Sequence, residues 1–104
     1  MADATGPVVV ISIFPVTPDR QAELLALLDA NARDVLPHRP GFIAARLLTA
    51  TDGTAVVNYA EWESEQALRD TMADPAVRAN MTPAWAIARP VVHHCSIAST
   101  HRPD

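Results

Sequence analysis

The sequence predicts an α+β domain: a four-stranded antiparallel sheet with two helices on one of its faces. Three observations carry this expectation. The apolar periodicity reads strand, helix, strand, strand, helix, strand along the 104 residues. An Asp52-Gly53 turn signal joins the second and third strands into a hairpin. Both parities of the strands carry apolar residues, so the sheet face turned away from the helices needs a cover of its own.

Val8 to Phe14 is β-branched and aromatic on both parities and reads as a strand buried on two sides, ended by Pro15. Thr17-Pro18-Asp19 then supplies a cap, a proline suited to the first helical position and an acid for the first turn. The helix that follows has its apolar stripe at Leu24, Leu25, Leu28, Ala32, Val35 and Leu36 and is stopped by Pro37 and Pro40-Gly41. Phe42 to Thr49 and Ala55 to Trp62 read as the two hairpin strands. Ser64 caps a shorter helix with Glu65 and Gln66 in its first turn and Ala67, Leu68 and Met72 on its buried side. Asp74-Pro75 restarts a helical turn through about Met81, Pro83 to Arg89 is expected to be irregular, and Val91 to Ala98 is the last strand. This order is that of ferredoxin-like split β-α-β domains. The whole chain, 1–104, reads as one domain with its core at about 8–98 and a polar tail from Ser99 to Asp104.

A single domain of this length has a modest core, and a hydrophobic content of 49% is rich for a small monomer. The simplest cover for the open sheet face is the same face of a second copy, which gives a homodimer with its sheets packed as a barrel. The formal charge is −4, all eight basic residues are arginine, and no basic stripe is present to track phosphates, so nucleic acid is not an expected partner. The longest apolar run, Pro7 to Phe14, is far below the roughly 20 residues that cross a bilayer, and the start of the chain, with Asp3 and no early Arg, lacks the positive start expected of a secretion signal. A cytoplasmic location is expected, in keeping with Cys95, which has no partner for an internal disulfide.

The densest chemical signal is Asn58-Tyr59-Ala60-Glu61-Trp62. Alternation along a strand places Val56, Asn58, Ala60 and Trp62 on one side and Val57, Tyr59 and Glu61 on the other. If the first side faces a cavity, an amide and an indole meet a flat, oxygenated ligand there. Tyr59 then belongs to the dimer interface. Arg46 needs a partner if buried, and Glu61 across the hairpin is the expected one.

Pro40-Gly41-Phe42, Asp52-Gly53-Thr54 and the run from Val56 through Trp62 to Ala67 together resemble the antibiotic biosynthesis monooxygenase family, of the dimeric α+β barrel fold. The likeness is narrowest to its cofactor-independent members that oxidise phenolic aromatic polyketides to quinones, the actinorhodin-pathway type. It implies molecular oxygen as co-substrate, no cofactor, and a small aromatic substrate held between sheet and helices. Asn58 and Trp62 match the family's third-strand Asn and Trp that border this cavity. Leu48 and Leu68 stand where the subgroup has His and Tyr, and Met81 aligns with its later Arg, with Arg78 one turn away. The site expected from the resemblance is therefore Asn58, Trp62 and Arg78 as catalytic residues, with Leu48, Leu68, Met72 and Met81 contacting substrate.

Oxygen that reacts without metal or flavin takes its electron from the substrate, so a phenolate or its carbanion tautomer must form. A dry flat pocket, a donor for the oxyanion and a route for a proton meet that need. Asn58 and the Trp62 indole are the donors, and Arg78 or Arg89 can stabilise negative charge. His93-His94-Cys95 suggests a metal, but adjacent strand residues point to opposite faces, so His94 cannot join His93 and Cys95, and no metal is expected. One of the two histidines is expected at the dimer barrel as a hydrogen-bonded residue, with a proton relay as the alternative. Glu61, Glu63 and Glu65 read as a solvated face at a helix start. Three other activities share the scaffold: haem degradation, for which the second helix lacks the iron-holding His, a non-catalytic aromatic-binding dimer, and a cyclase using the same pocket for proton transfer alone.

Overall fold

In the computed structural model, which describes residues 6–104, the β-branched segments pair as one antiparallel sheet in the order β2-β3-β1-β4. The strands are β1 (Val8–Pro15), β2 (Phe42–Thr49), β3 (Ala55–Trp62) and β4 (Val91–Cys95). Among the described residues the α-helices are α1 (Gln21–Asp34), α2 (Glu65–Ala73) and α3 (Pro75–Ile87). The segment around Asp3, on which the expectation about a secretion signal rests, lies outside the described residues. No helix among the described residues is long and apolar enough to cross a membrane.

Register decides which side chains share a face. β1 pairs with β3 so that Val8, Val10, Ser12 and Phe14 stand opposite Trp62, Ala60, Asn58 and Val56. This is the face that the helices cover. Its core divides into a cluster of Phe14, Leu24, Leu28, Val56, Met81, Ala84 and Ala88 and a second of Val8, Val10, Leu36, Ala60, Trp62 and Leu68. On β2 the register shifts between Phe42 and Ala44, after which Ala45 faces Ala60 and Leu47 faces Asn58. The extra residue lets Phe42 share the inner face with Ala45 and Leu47, although simple alternation would separate them. Ile13, Leu48 and Val91 remain on the outer face and are exposed, as is Ile43 at the bulge.

Several boundaries differ from the sequence expectation. Thr17 makes no side-chain cap, and Pro18–Arg20 forms a 3-10 turn ahead of α1. Val35 closes α1, and Leu36–His38 is a second 3-10 turn, so the two prolines tighten the helix end before Gly41 redirects the chain. Gly41 has φ +83°, and a Cβ there would collide with the Ala67 Cβ, so only glycine permits the strand start to sit this close to α2. The segment expected to be irregular after Pro83 is helical to Ile87. Pro83 removes one N–H from the ladder, yet burial of Val77, Met81 and Ala84 along one stripe holds the helix together. β4 ends at Cys95 and does not extend to Ala98, because Cys95 already pairs with Val9 near the start of β1 and the next positions would meet Val8 and then Pro7, which has no N–H.

Side-chain caps start both helices in the second half of the chain, at Ser64 as expected and also at Asp74. Ala67 N–H donates to Ser64 Oγ at 3.1 Å to start α2. Ala76 N–H donates to Asp74 Oδ1 at 2.8 Å to start α3, while Arg39 Nη1 donates to Asp74 Oδ2 at 2.8 Å. The Ala76 N–H, with the Arg39 guanidinium, holds the Asp74 carboxyl below its usual range. One carboxylate thus anchors the α2–α3 junction to the segment leading into β2.

Candidate functional site

Between the inner sheet face and the helices lies a cavity of about 140 Å³. The sheet contributes Ser12, Asn58, Ala60, Trp62, Val92 and His94 among its walls, and the helices close it with Asn31, Leu68, Met72, Val77, Met81 and Trp85. Aromatic and aliphatic surface dominates, and the polar groups are few. That composition suits a flat apolar ligand fixed by a small number of directional contacts.

Asn58 supplies one such contact. Its Oδ1 is buried and has no hydrogen-bond partner. A buried acceptor without a partner is costly, on the order of 1–3 kcal/mol, unless a ligand satisfies it. The amide can accept a phenolic O–H through Oδ1 or, turned about its last torsion, donate through Nδ2 to an oxyanion. Ser12 lies opposite Asn58 on β1 and brings a hydroxyl to the same wall. Trp62 is only 2% exposed and meets the Phe42 ring edge-on, with centroids 5.4 Å apart and planes at 73°. Its indole is therefore a rigid wall of the cavity as well as part of the core.

The structure brings Asn58, Trp62, Leu68, Met72 and Met81 to this cavity and leaves Leu48 and Arg78 out of its walls. Leu48 stands opposite Val57 on the outer sheet face and is 51% exposed, a consequence of the β2 register shift. Arg78 is exposed on α3 with its guanidinium 5.5 Å from the centre of the Trp85 ring, and Arg89 stands at the same distance. Both cations thus reach the cavity only through an aromatic side chain that lines it. Arg46 is exposed, stands opposite Tyr59, and forms no ion pair with Glu61, which stands opposite Ala44; exposure removes its need for a partner.

Asn31, Trp85 and His94 line the cavity without belonging to the expected set of site residues. Asn31 is buried within the apolar stripe of α1, and its Oδ1 accepts from Asn80 Nδ2 at 2.7 Å. An amide at the i+3 position from Leu28 was the available signal. Trp85 was hidden by the expectation of an irregular segment after Pro83. The sequence leaves open which of His93 and His94 turns to the dimer barrel and which to the cavity; the β4 register sets His93 opposite Ile11 on the outer face and His94 opposite Val10 on the inner one. Its Nδ1 is 2.8 Å from Glu65 Oε1, and Arg69 Nη2 donates to Glu65 Oε2 at 2.8 Å. Glu65 is therefore a paired carboxylate and not simply part of a solvated helix start. The hydrogen bond from His94, followed by the charge of Arg69, holds its carboxyl below the usual range against the opposing effect of desolvation. Among the described residues, no three His, Cys, Asp or Glu side chains converge as a metal site would require.

Comparison with known proteins places this geometry. Residues 7–82 match the profile of the family described as antibiotic biosynthesis monooxygenase. The chain is 34% identical over 87 residues to tetracenomycin-F1 monooxygenase of Streptomyces glaucescens, an alignment covering 84% of this chain and 78% of that protein. It superposes on the Streptomyces coelicolor monooxygenase from the gene ActVA-Orf6, solved in complex with nanaomycin D, with a TM-score of 0.84 and 32% identity over 98% of this chain and 96% of the other. The fold is also that of SnoaB, a cofactor-independent oxygenase from Streptomyces nogalater, with a TM-score of 0.81 and 23% identity over 90% of this chain and 95% of the other. With more than half of its length inside the family profile and a relative above 30% identity along most of both chains, this protein belongs to the antibiotic biosynthesis monooxygenase family.

Proposed function

We propose that this chain is a cofactor-independent monooxygenase that oxidises a phenolic, polyketide-like aromatic substrate to a quinone with molecular oxygen. The observation that carries the reading is the unpartnered Oδ1 of Asn58 in an otherwise apolar cavity. A phenol donates its O–H to that atom in the ground state. Once the oxygen carries negative charge, the same amide turns and donates Nδ2–H, so its contact strengthens as the reactive anion forms. Trp62 and Trp85 give the ring flat surfaces, and the aliphatic walls exclude water that would otherwise solvate the anion. The relatives named for tetracenomycin F1 and crystallised with nanaomycin D support a polycyclic substrate. The test is oxygen uptake and quinone absorbance with anthrone- and naphthol-type phenols on metal-stripped protein. Stoichiometric oxygen consumption with quinone formation is expected; binding without uptake would favour a purely ligand-binding or cyclase role.

We also propose that the protein works as a homodimer joined through the outer sheet face. Ile13, Leu48 and Val91 are exposed on that face, and a patch of this kind is ordinarily covered in a soluble protein. Light scattering is expected to give twice the mass of one chain. Leu48→Glu, which places a charge in the patch without touching the cavity, is expected to yield a monomer. A wild-type monomer at micromolar concentration would rule the arrangement out.

A further inference from the structure

Every polar group named in the cavity wall except one is unable to take a proton near neutral pH. Ser12, Asn31 and Asn58 are neutral, and the indoles are donors only. Among the lining residues His94 alone carries an imidazole, a side chain able to accept a proton and pass it on. It is also the one lining side chain held by a charged partner, since Glu65, 29 residues earlier in the chain, meets its Nδ1 at 2.8 Å. The carboxylate of Glu65 can only accept a hydrogen bond, so Nδ1 carries the ring proton and the neutral ring keeps its lone pair on Nε2. Glu65 is itself held by Arg69, which completes the charged groups facing His94: one carboxylate from the first turn of α2 and the guanidinium one turn further along. The His94 side chain is 41% exposed and that of Arg69 64%, so the array stands at the rim of the cavity and contributes little to stability as an ion pair. Its placement instead supplies a fixed tautomer and an exit to water for a proton.

We propose that His94 is the general base that takes the phenolic proton of the substrate, and that Glu65 is a positioning residue that holds the imidazole in the basic tautomer and stabilises the imidazolium. This rests on the oxygenase reading above for its substrate class. In the step itself the phenol O–H turns from Asn58 Oδ1 to the imidazole, its bond breaks, the proton passes to Nε2, and the electron pair stays on the oxygen, which then accepts from Asn58 Nδ2–H. Over the whole reaction the phenol loses two hydrogens and gains one oxygen atom, while the second atom of dioxygen leaves with those hydrogens as water. The proton held on His94 is returned to that departing oxygen, so the base is regenerated.

The experiment compares wild type, His94→Gln, His94→Ala, Glu65→Gln and the surface control His38→Ala by kcat/KM across pH. In parallel, a naphthol whose phenolate absorbs at longer wavelength than its neutral form is titrated with each protein under anaerobic conditions. His94→Gln is expected to lower kcat/KM by about 100-fold or more, the scale of general-base catalysis, and to remove the acid limb of the profile that protonation of the base produces. Free imidazole is expected to restore part of the activity to His94→Ala. Glu65→Gln is expected to give a smaller loss with a displaced acid limb, which a merely structural role would not move. His38→Ala is expected to match wild type. Anaerobically, bound naphthol is expected to ionise at lower pH with wild type than with His94→Gln. If that difference appears while no protein consumes oxygen, the base assignment stands and the oxygenase reading falls. Unchanged kcat/KM and pH profile in both His94 variants would overturn the proposal. So would naphthol that fails to bind, or that ionises identically with and without His94.

Discussion

Asn58→Leu is expected to reduce turnover by 10²–10³-fold while leaving the protein as stable as wild type or more so. The activity loss follows from removing a donor aimed at a developing oxyanion, a change worth about 2.7–4 kcal/mol in other enzymes. The stability expectation follows from the same atom seen in the absence of ligand: Oδ1 is buried without a partner, and leucine of similar size removes that unpaired acceptor. Function and stability should therefore move in opposite directions. Single-turnover rates and thermal unfolding of Asn58→Leu and Asn58→Ala check this together. A variant that loses stability but keeps full activity per folded molecule would make Asn58 a packing residue.

Trp62→Ala is expected to cost about 3–5 kcal/mol of folding stability, the range for emptying a large aromatic site in a core. Trp62 is 2% exposed and packs among Val8, Val10, Leu36, Ala60 and Leu68, with Phe42 against its ring. Against a total stability of roughly 5–15 kcal/mol for a domain, that loss brings the chain close to unfolding. Trp62→Phe separates packing from chemistry. It keeps most of the flat surface and deletes the indole N–H, so it is expected to lower kcat more than it weakens ligand affinity. Denaturant midpoints, affinity and kcat for the two variants distinguish these contributions. Equal losses of affinity and kcat in Trp62→Phe would assign the indole to binding alone.

Local chemistry was legible wherever neighbouring residues decide the outcome. The hairpin strands Phe42–Thr49 and Ala55–Trp62 have the predicted bounds because Asp52-Gly53 enforces the turn between two β-rich runs. The Ser64 cap is visible in the sequence because it acts on an N–H three residues away, and Asp74-Pro75 marks the restart of the helix that Asp74 caps. Alternation alone also placed Asn58 and Trp62 on one face. Pro83 signals a helix break locally, but the buried stripe of Val77, Met81 and Ala84 overrides it, and the position of Trp85 on α3 depends on that override.

The amino-acid sequence by itself determined the element order, the shared face of Asn58 and Trp62, and the likeness of the 56–67 run to its family, since each rests on contacts or patterns within a few residues. Only the tertiary structure decided the rest of the site. With apolar residues at both parities of β2, its pattern does not specify a register, and the shift between Phe42 and Ala44 is what sends Leu48 outward and Leu47 toward Asn58. The approach of His94 to Glu65 depends on β4 pairing with β1 while α2 packs across the same end of the sheet. No local pattern encodes a contact between side chains 29 positions apart, because it exists only once long-range strand pairing has fixed which way each faces.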